Sequence, residues 1–255
     1  MINNNKKLYI GLSLMFIGAL LVAYGLLNYR REVAAPKENS QNRQESGTDN
    51  NAGKANGTDK AAFDKNRYSL NEPGSLWVVV NKKRPLPAGY VPADLRAAGD
   101  SQLRAEAKDA LDQLLEGARQ EEIRLKIISG YRSYAAQQSL YRSYVQKDGQ
   151  AAADTYSARA GHSEHQTGLA ADVGNTDNSC NLETCFARTG GGLWIIRHAP
   201  EYGFTLSYPE GKTAVTGYQY EPWHLRYVGK DLAGELHREN RTMQEFFGLA
   251  AAPGY

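Results

Sequence analysis

The stretch from Gly161 to Val173 reads GHSEHQTGLAADV, and it decides how the rest of the chain must fold. Within it, His162, His165 and Asp172 carry side chains that bind transition metals, and they surround a glycine and a short apolar run. A histidine and an aspartate at this spacing are weak evidence for a metal site when they stand alone. A complete site needs at least one further ligand from elsewhere in the chain.

A second stretch, Tyr220 to Gly229, reads YEPWHLRYVG and supplies a further histidine and a glutamate. His224 completes a set of two histidines and one aspartate with His165 and Asp172, and Glu221 stands three residues before it. Three protein ligands with a fourth position open to water are typical of catalytic zinc sites. The sequence therefore predicts one zinc ion per domain, bound by these three ligands.

The spacing within the first stretch also predicts a bend. His165 and Asp172 are seven positions apart, so on one continuous strand their side chains would point to opposite faces. Gly168 is the residue at which the chain can turn, and Asp172 then lies on a strand over residues 169–173. The residues expected to face the core are Leu169, Ala171 and Val173. His162 is a rival ligand, which we expect to lie beside the metal without binding it.

Apolar periodicity in the rest of the chain predicts alternating helices and strands. The pattern predicts helices over residues 101–120, 133–146, 193–201 and 230–239. It predicts strands over residues 76–80, 123–127, 169–173, 204–206 and 221–228, with a hairpin turn at Gly211 and Lys212. Pro222 makes the backbone before His224 irregular. Because there is no regular βαβ repeat, we expect an α+β fold with a small central antiparallel sheet flanked by helices.

The amino-terminal part of the chain has a different composition. Residues 1–31 contain 20 consecutive uncharged residues, Leu8 to Leu27, which as a helix of about 1.5 Å per residue would span about 30 Å of hydrocarbon. The run is longer than the core of about 7–15 residues in a cleaved signal peptide, so we expect an uncleaved membrane anchor. Residues 32–66 are polar and predict a disordered linker. Residues 67–255 are then left for one folded domain.

Charge and cysteine content narrow the classes of function. The chain has 30 Lys and Arg against 28 Asp and Glu, a net charge of +2 that offers no argument for nucleic-acid binding. Cys180 and Cys185 are the two cysteines, and in an exported domain we expect them to form a small disulfide loop. The chain contains neither Ser-x-x-Lys nor Gly-x-Ser-x-Gly, which disfavours a serine hydrolase.

Three further patterns occur in order along the chain: SGYRS at residues 129–133 with Gln137, SEHQTG at residues 163–168 leading to Asp172, and EPWH at residues 221–224 followed by YVG. Together these motifs resemble those of the VanY/LdcB-type zinc carboxypeptidases of bacterial cell-wall metabolism, which have a hedgehog-like fold. The resemblance covers roughly residues 76–248. One departure is Ser207, which stands before Tyr208-Pro209 where relatives commonly carry an arginine.

The resemblance implies a role for each motif residue. It implies zinc ligation by His165, Asp172 and His224. It implies that Glu221 is the catalytic base and that Arg132 binds either the carboxylate of the substrate or the developing oxyanion. The residues implied or expected to contact substrate are Arg132, Gln137, Ser163, Tyr131 and Trp223.

The resemblance also implies a substrate and a place in the cell. We expect removal of the carboxy-terminal D-alanine from pentapeptide stems of peptidoglycan, by a monomer in the bacterial membrane with its domain on the wall side. The alternatives are an L,D-carboxypeptidase acting on tetrapeptide stems, a wall-binding module without turnover, and an endopeptidase. An L,D-enzyme would benefit from polar lining near the residue before the cut, to which Glu164, Gln166 and Gln137 could contribute.

Overall fold

Strands and short helices alternate along residues 63–255, which are the residues that the computed structural model describes. The strands are β1 (Leu95–Ala98), β2 (Ser101–Arg104), β3 (Leu125–Ser129), β4 (Ala170–Asn175), β5 (Phe204–Leu206) and β6 (His224–Tyr227). The α-helices are α1 (Ala105–Gln120), α2 (Tyr134–Asp148), α3 (Gln150–Tyr156), α4 (Gly190–His198), α5 (Thr213–Thr216), α6 (Lys230–Glu239) and α7 (Met243–Phe246). Short 3-10 turns cover Glu164–Thr167, Thr184–Arg188 and Ala199–Tyr202.

The predicted membrane anchor, and the linker up to residue 62, lie outside the described residues. Among residues 63–255, no helix is both long and apolar enough to cross a bilayer. Among the described residues, Phe63 already packs on the folded part, since its ring stacks on Trp77 with the ring centroids 5.5 Å apart. Lys65 Nζ donates a hydrogen bond of 2.8 Å to the carbonyl oxygen of Phe246. Residues before the predicted boundary at Arg67 therefore pack against the domain.

The mixed α/β architecture is organised around a four-stranded antiparallel sheet in the order β3, β4, β6, β5. A separate two-stranded hairpin is formed by β1 and β2. Helix α1 packs one apolar stripe into the main core, because its buried residues recur at steps of three and four. Those residues are Ala107, Ala110, Leu111, Leu114 and Ala118. The small central antiparallel sheet that the sequence predicts is thus confirmed.

Two predicted elements need correction at the amino-terminal side of the domain. The helix predicted over residues 101–120 begins only at Ala105, because residues 101–104 form β2 and pair with β1. The run predicted as a strand over residues 76–80 belongs to no sheet: Leu76 and Trp77 lie in a turn, and the three valines that follow have no regular secondary structure. Its alternate side chains enter different apolar clusters. The carbonyl oxygens of Leu76 and Val78 accept hydrogen bonds from Arg226 Nη2 at 3.1 and 2.9 Å, so a side chain occupies the place of a neighbouring strand.

The observed limits of several other elements differ from the predicted limits by a few residues. Strands β3 and β4 each end two residues beyond the predicted limit, and β6 begins only at His224, after an irregular turn through Pro222. Instead of a tight hairpin at Gly211 and Lys212, a long connection containing α5 joins β5 to β6. Ser133 caps α2 as predicted, since its Oγ accepts a hydrogen bond from the Ala136 backbone N–H at 3.2 Å.

Candidate metal centre and active-site cleft

The centre of the sheet brings the three predicted ligands together. In the pairing of β4 with β6, Asp172 stands directly opposite His224. The 3-10 turn Glu164–Thr167 precedes β4 and ends at Gly168, whose φ of 68° reverses the chain so that His165 faces the same point. The ligand atoms of His165, Asp172 and His224 all lie within 4.8 Å of one another, and all three residues are buried.

Hydrogen bonds set which nitrogen of each histidine faces this point. His165 Nδ1 donates to the carbonyl oxygen of Gly130 at 2.7 Å, which leaves Nε2 beside Asp172 Oδ2 at 3.2 Å. His224 Nε2 lies 3.0 Å from Glu164 Oε2, which leaves Nδ1 beside Asp172 Oδ1 at 3.1 Å. Metal-binding histidines usually donate their other N–H to a carbonyl or carboxylate in this way. Two imidazole nitrogens and one carboxylate, oriented by such partners, fit zinc.

His224 belongs to a hydrogen-bonded network of buried charged groups. Arg226, which is fully buried, donates from Nη1 to Glu164 Oε1 at 3.2 Å, and Ser207 Oγ donates to Glu164 Oε2 at 2.5 Å. Burial alone would raise the pKa of Glu164, but Arg226, His224 and Ser207 together lower it to about 2. Burial likewise opposes the charge on His224, but its hydrogen bonds to Asp172 and Glu164 raise its pKa to about 10. Glu164 is therefore an anion that holds the His224 ring in place.

Glu221 is a second buried carboxylate of a different kind. It lies in the turn before β6, where its backbone N–H donates to the Tyr208 carbonyl oxygen at 3.0 Å, and it is not among the three grouped metal-binding residues. Burial, together with the carboxylates of Asp172 and Glu164, raises the pKa of Glu221 to about 8, although His224 and Arg132 oppose the shift. A carboxyl group with a pKa near neutrality can both accept and donate a proton at physiological pH.

Arg132 is held at the turn between β3 and α2. Its Nη1 donates to Gln137 Oε1 and its Nη2 to Ser129 Oγ, both at 2.8 Å, and its backbone N–H donates to the His165 carbonyl oxygen at 3.1 Å. Gln137 is itself fixed, because its Nε2 donates to the Ala158 carbonyl oxygen at 2.6 Å. The guanidinium group is therefore oriented before any substrate arrives.

These groups line one cleft with a volume of about 190 Å³. The lining residues fall into two groups by chemistry. We call the group at the predicted metal position the metal wall, which comprises His165, Asp172, Glu221, Trp223 and His224. We call the aliphatic and aromatic group the outer wall, which comprises Leu140, Tyr144, Tyr156 and Leu182. Arg132, Gln137 and Ser163 lie on the same cleft, whereas Tyr131 is not among the described residues that line it. The structure thus brings all the predicted site residues except Tyr131 to this cleft.

Three polar residues near the motif point away from the cleft. Glu164 is turned toward His224 and Arg226, so it does not line the cleft. Gln166 is fully buried and its Nε2 donates to the Pro87 carbonyl oxygen at 2.9 Å. His162 Nδ1 donates to the Asn81 carbonyl oxygen at 2.8 Å, outside the metal group. Of the polar lining considered for an L,D-enzyme, only Gln137 reaches the cleft.

Sequence reasoning missed the roles of Arg226, Ser207 and Leu182. The position of Arg226 near the site could have been inferred from the sequence. It stands two positions after His224 on one strand, so the two side chains must share a face. Leu182 lies in the loop closed by Cys180 and Cys185, whose predicted disulfide is present with a Cα–Cα distance of 5.5 Å. Nothing in the spacing of that loop indicates that it reaches the cleft.

A buried His, Asp and His group beside a carboxyl group of raised pKa and a fixed arginine defines a zinc-dependent hydrolase. Comparison with known protein families agrees, because the VanY family model, described as D-alanyl-D-alanine carboxypeptidase, matches residues 100–230. The chain belongs to this family, and like the other members it is a zinc metallo-carboxypeptidase.

The chain is similar both to D-alanyl-D-alanine carboxypeptidases and to LD-carboxypeptidases. A putative carboxypeptidase, YodJ, of Bacillus subtilis (strain 168) is 37% identical over 189 residues, covering 70% of this chain and 69% of the relative. A D-alanyl-D-alanine carboxypeptidase of Enterococcus faecium is 30% identical, covering 94% and 78%.

Among solved structures, the LdcB LD-carboxypeptidase is 37% identical with a TM-score of 0.65, covering 70% of this chain and 88% of the other. The vancomycin-resistance D,D-pentapeptidase VanY from a VanB-type cassette, solved with Zn(II), is 29% identical with a TM-score of 0.61, covering 69% and 99%.

Proposed function

We propose that this protein is a zinc D,D-carboxypeptidase that removes the terminal D-alanine from pentapeptide stems of peptidoglycan. The observation that carries the proposal is the position of Glu221, a buried carboxyl group on the same cleft as His165, Asp172 and His224 but outside their group. A module that only binds wall peptides has no use for a base at this position. The relatives named as D-alanyl-D-alanine carboxypeptidases support the choice of substrate.

His165 Nε2, His224 Nδ1 and one oxygen of Asp172 would hold the zinc ion. When bound, zinc supplies Lewis-acid chemistry by polarising a carbonyl group and lowering the pKa of water toward about 7. The contacts of His165 Nδ1 with Gly130 and of His224 Nε2 with Glu164 orient the two imidazole rings so that the other nitrogen of each faces the metal position. The ligands are therefore prepared by hydrogen bonds that do not involve the metal itself.

Glu221 moves the proton. Its carboxylate accepts a proton from the attacking water and then passes that proton to the leaving amine of D-alanine, so it acts first as base and then as acid. In the metal-free site, burial raises the pKa of Glu221 to about 8, and the positive charge of a bound zinc ion would lower it and so favour the carboxylate that accepts the proton.

Arg132 supplies the positive charge that the substrate requires. A peptide ending in D-alanine presents a free carboxylate, and a guanidinium group can bind it with two parallel hydrogen bonds. The contacts of Arg132 with Gln137 and Ser129 fix the plane of the guanidinium group, so little entropy is lost on binding. Ser163 and Trp223 lie on the same cleft and complete the contact surface that we assign to substrate.

We further propose that the chain is a single-pass membrane protein whose domain works as a monomer on the wall side. The uncharged run Leu8 to Leu27 supports the anchor. The bond between Cys180 and Cys185 supports export, because disulfides persist in oxidising compartments and are rare in the cytosol.

Incubation of the zinc-loaded full-length protein with purified pentapeptide, tetrapeptide and cross-linked muropeptides tests the proposal. We expect release of D-alanine from the pentapeptide, detected by mass spectrometry, and none from the same reaction with the Glu221→Gln variant. Release from the tetrapeptide alone would replace the proposal with an L,D-carboxypeptidase, in line with the likeness to LdcB. Cleavage of cross-links would indicate an endopeptidase, and binding without any cleavage would indicate a wall-binding module.

A further inference from the structure

The loop between β4 and α4 places an apolar side chain on the cleft that contains the metal group. Leu182 lies inside the disulfide loop of Cys180 and Cys185, and 47% of its surface is exposed to solvent. It is one of the few large apolar residues among residues 63–255 with this degree of exposure, and it lines the cleft that holds the metal group. Exposed leucines on a soluble surface are ordinary, but a leucine on the wall of an active-site cleft meets the ligand.

The backbone of this loop is held in an uncommon conformation. Asn178, Cys180 and Leu182 have φ angles of 65°, 56° and 59°, in the left-handed region that residues other than glycine rarely adopt. This conformation is strained for a residue with a side chain, so it persists only where surrounding contacts impose it. The disulfide is one of these contacts, and it spans Leu182 itself.

Contacts with β4 supply the rest of the restraint. Asn181 Oδ1 accepts from the Asn175 backbone N–H at 2.7 Å, and Asn181 Nδ2 donates to the Asn175 carbonyl oxygen at 3.0 Å. The approach is so close that a Cβ atom on Gly174 would lie 2.3 Å from Asn181 Oδ1. Since β4 also carries Asp172, the position of Leu182 is set by the strand that carries a metal-binding residue.

The other residues of the outer wall also suit contact with an aliphatic chain. Leu140, Tyr144 and Tyr156 lie on the same outer wall, and the rings of the two tyrosines are in edge contact with centroids 5.1 Å apart. The Tyr156 hydroxyl is directed away to Asp148 Oδ2, to which it donates at 2.6 Å. The cleft therefore has charged groups on the metal wall and predominantly apolar surface on the outer wall.

We propose that Leu182 is a specificity-determining residue that binds the aliphatic part of the stem peptide upstream of the two D-alanines, and that the disulfide holds it there. This inference rests on the proposed function for the identity of the peptide. The Arg132 end of the cleft recognises the terminal carboxylate in any substrate of the class, whereas Leu182 contacts only substrates long enough to reach the outer wall. The chain should therefore distinguish a complete stem from a short fragment through this one loop.

Binding to an inactive enzyme tests the inference independently of turnover. In the zinc-loaded, full-length Glu221→Gln protein, the added substitution Leu182→Ala should raise the Kd for a pentapeptide stem about five- to tenfold, as expected for the loss of a few apolar groups from a contact. The Kd for the free dipeptide D-Ala-D-Ala should change less than twofold. Leu193→Ala is the matched control, because Leu193 is also exposed, at 55%, but does not line the cleft.

A second variant tests the part played by the disulfide. Cys180→Ser with Cys185→Ser should raise the Kd for the pentapeptide to a similar extent, and Leu182→Ala should then add less than twofold. Zinc content and the dipeptide Kd report whether the fold and the metal wall remain intact. An equal loss of affinity for both peptides, or no loss for either, would overturn the inference. Failure to cleave the pentapeptide would overturn the proposed function alone, since these measurements need no cleavage.

Discussion

The two walls of the cleft differ in how deeply their side chains are buried and in what those side chains contact. On the metal wall, His165, Asp172 and His224 are buried on or beside central strands, and their polar atoms contact one another or a further buried partner. On the outer wall, Tyr144 is only half-buried and Leu182 is exposed. Substitution of one of these three metal-wall residues would therefore leave a buried partner without its counterpart, which is costly. The outer wall is free to vary with the substrate.

Two buried cations of the domain, Arg226 and Lys82, differ in their partners. Arg226 pairs with the carboxylate of Glu164, which in turn contacts a metal-binding histidine. Lys82 Nζ instead donates to the carbonyl oxygens of Asp154 and Gly217 at 2.7 and 2.6 Å. Arg226 is thus electrostatically connected to the metal centre, whereas Lys82 connects backbone segments.

The largest effect is expected from the metal wall itself. His165→Ala, Asp172→Ala or His224→Ala should abolish stoichiometric zinc binding and lower kcat/KM by at least about 10³-fold, because three protein ligands are the minimum for such a site. Zinc content after dialysis and D-alanine release measure the two effects. A variant that kept both one zinc ion and full activity would show that the substituted residue is not a zinc ligand.

Glu221→Gln should separate metal binding from chemistry. Glutamine has the same shape but cannot accept the proton, so kcat should fall by about 10²–10⁴-fold while zinc content stays at the wild-type value. Loss of zinc together with activity would instead make Glu221 a ligand. Retention of most of the wild-type kcat would mean that another group is the base.

Glu164→Gln should weaken zinc binding without removing it. Glutamine replaces one acceptor oxygen with an N–H donor, so His224 and Arg226 lose part of a shared anion, and zinc affinity should fall about 10–100-fold. Competition with a chelator of known affinity measures the change. Lys82→Met is the comparison variant, because it removes a buried cation that has no contact with the metal group. Zinc affinity should stay within twofold in that protein even if its stability falls.

The smallest effect concerns stability and pH. The pKa of Glu221 in the folded protein, about 8, lies above its ordinary value of 4.5, so folding favours the protonated form. The stability that this proton supplies is present below pH 4.5 and is lost as the pH rises toward 8. In zinc-free protein, Glu221→Gln should therefore have a free energy of unfolding about 1 kcal/mol or more above that of wild type at pH 9, and little above it at pH 4. Denaturant titrations at both pH values measure the two free energies. If variant and wild type differed by the same amount at both pH values, burial would not disfavour the charge on Glu221.

Much of the site could be predicted from the sequence because its chemistry is local in the chain. The run from Ser163 to Asp172 contains two zinc-binding residue types and the glycine that turns one toward the other, and Gly168 indeed has the left-handed conformation that this turn needs. The helix at residues 230–239 was likewise predictable, because its apolar stripe repeats at the period of an α-helix. Such features depend on neighbours three to seven positions away.

The roles of Glu164, Arg226 and Leu182 depended on the tertiary structure instead. Glu164 stands next to a metal-binding residue in the sequence, yet its partners His224 and Arg226 are 60 and 62 positions away. Arg226 also donates to the carbonyl oxygens of Leu76 and Val78, in an apolar run that was predicted as a strand but joins no sheet. The residue types that bind the metal could be identified from the sequence, because metal coordination depends on their chemistry. Only the packing of distant segments decided which buried charges pair and which side chains face the cleft, because a polar group removed from water requires a partner in space, wherever that partner lies in the chain.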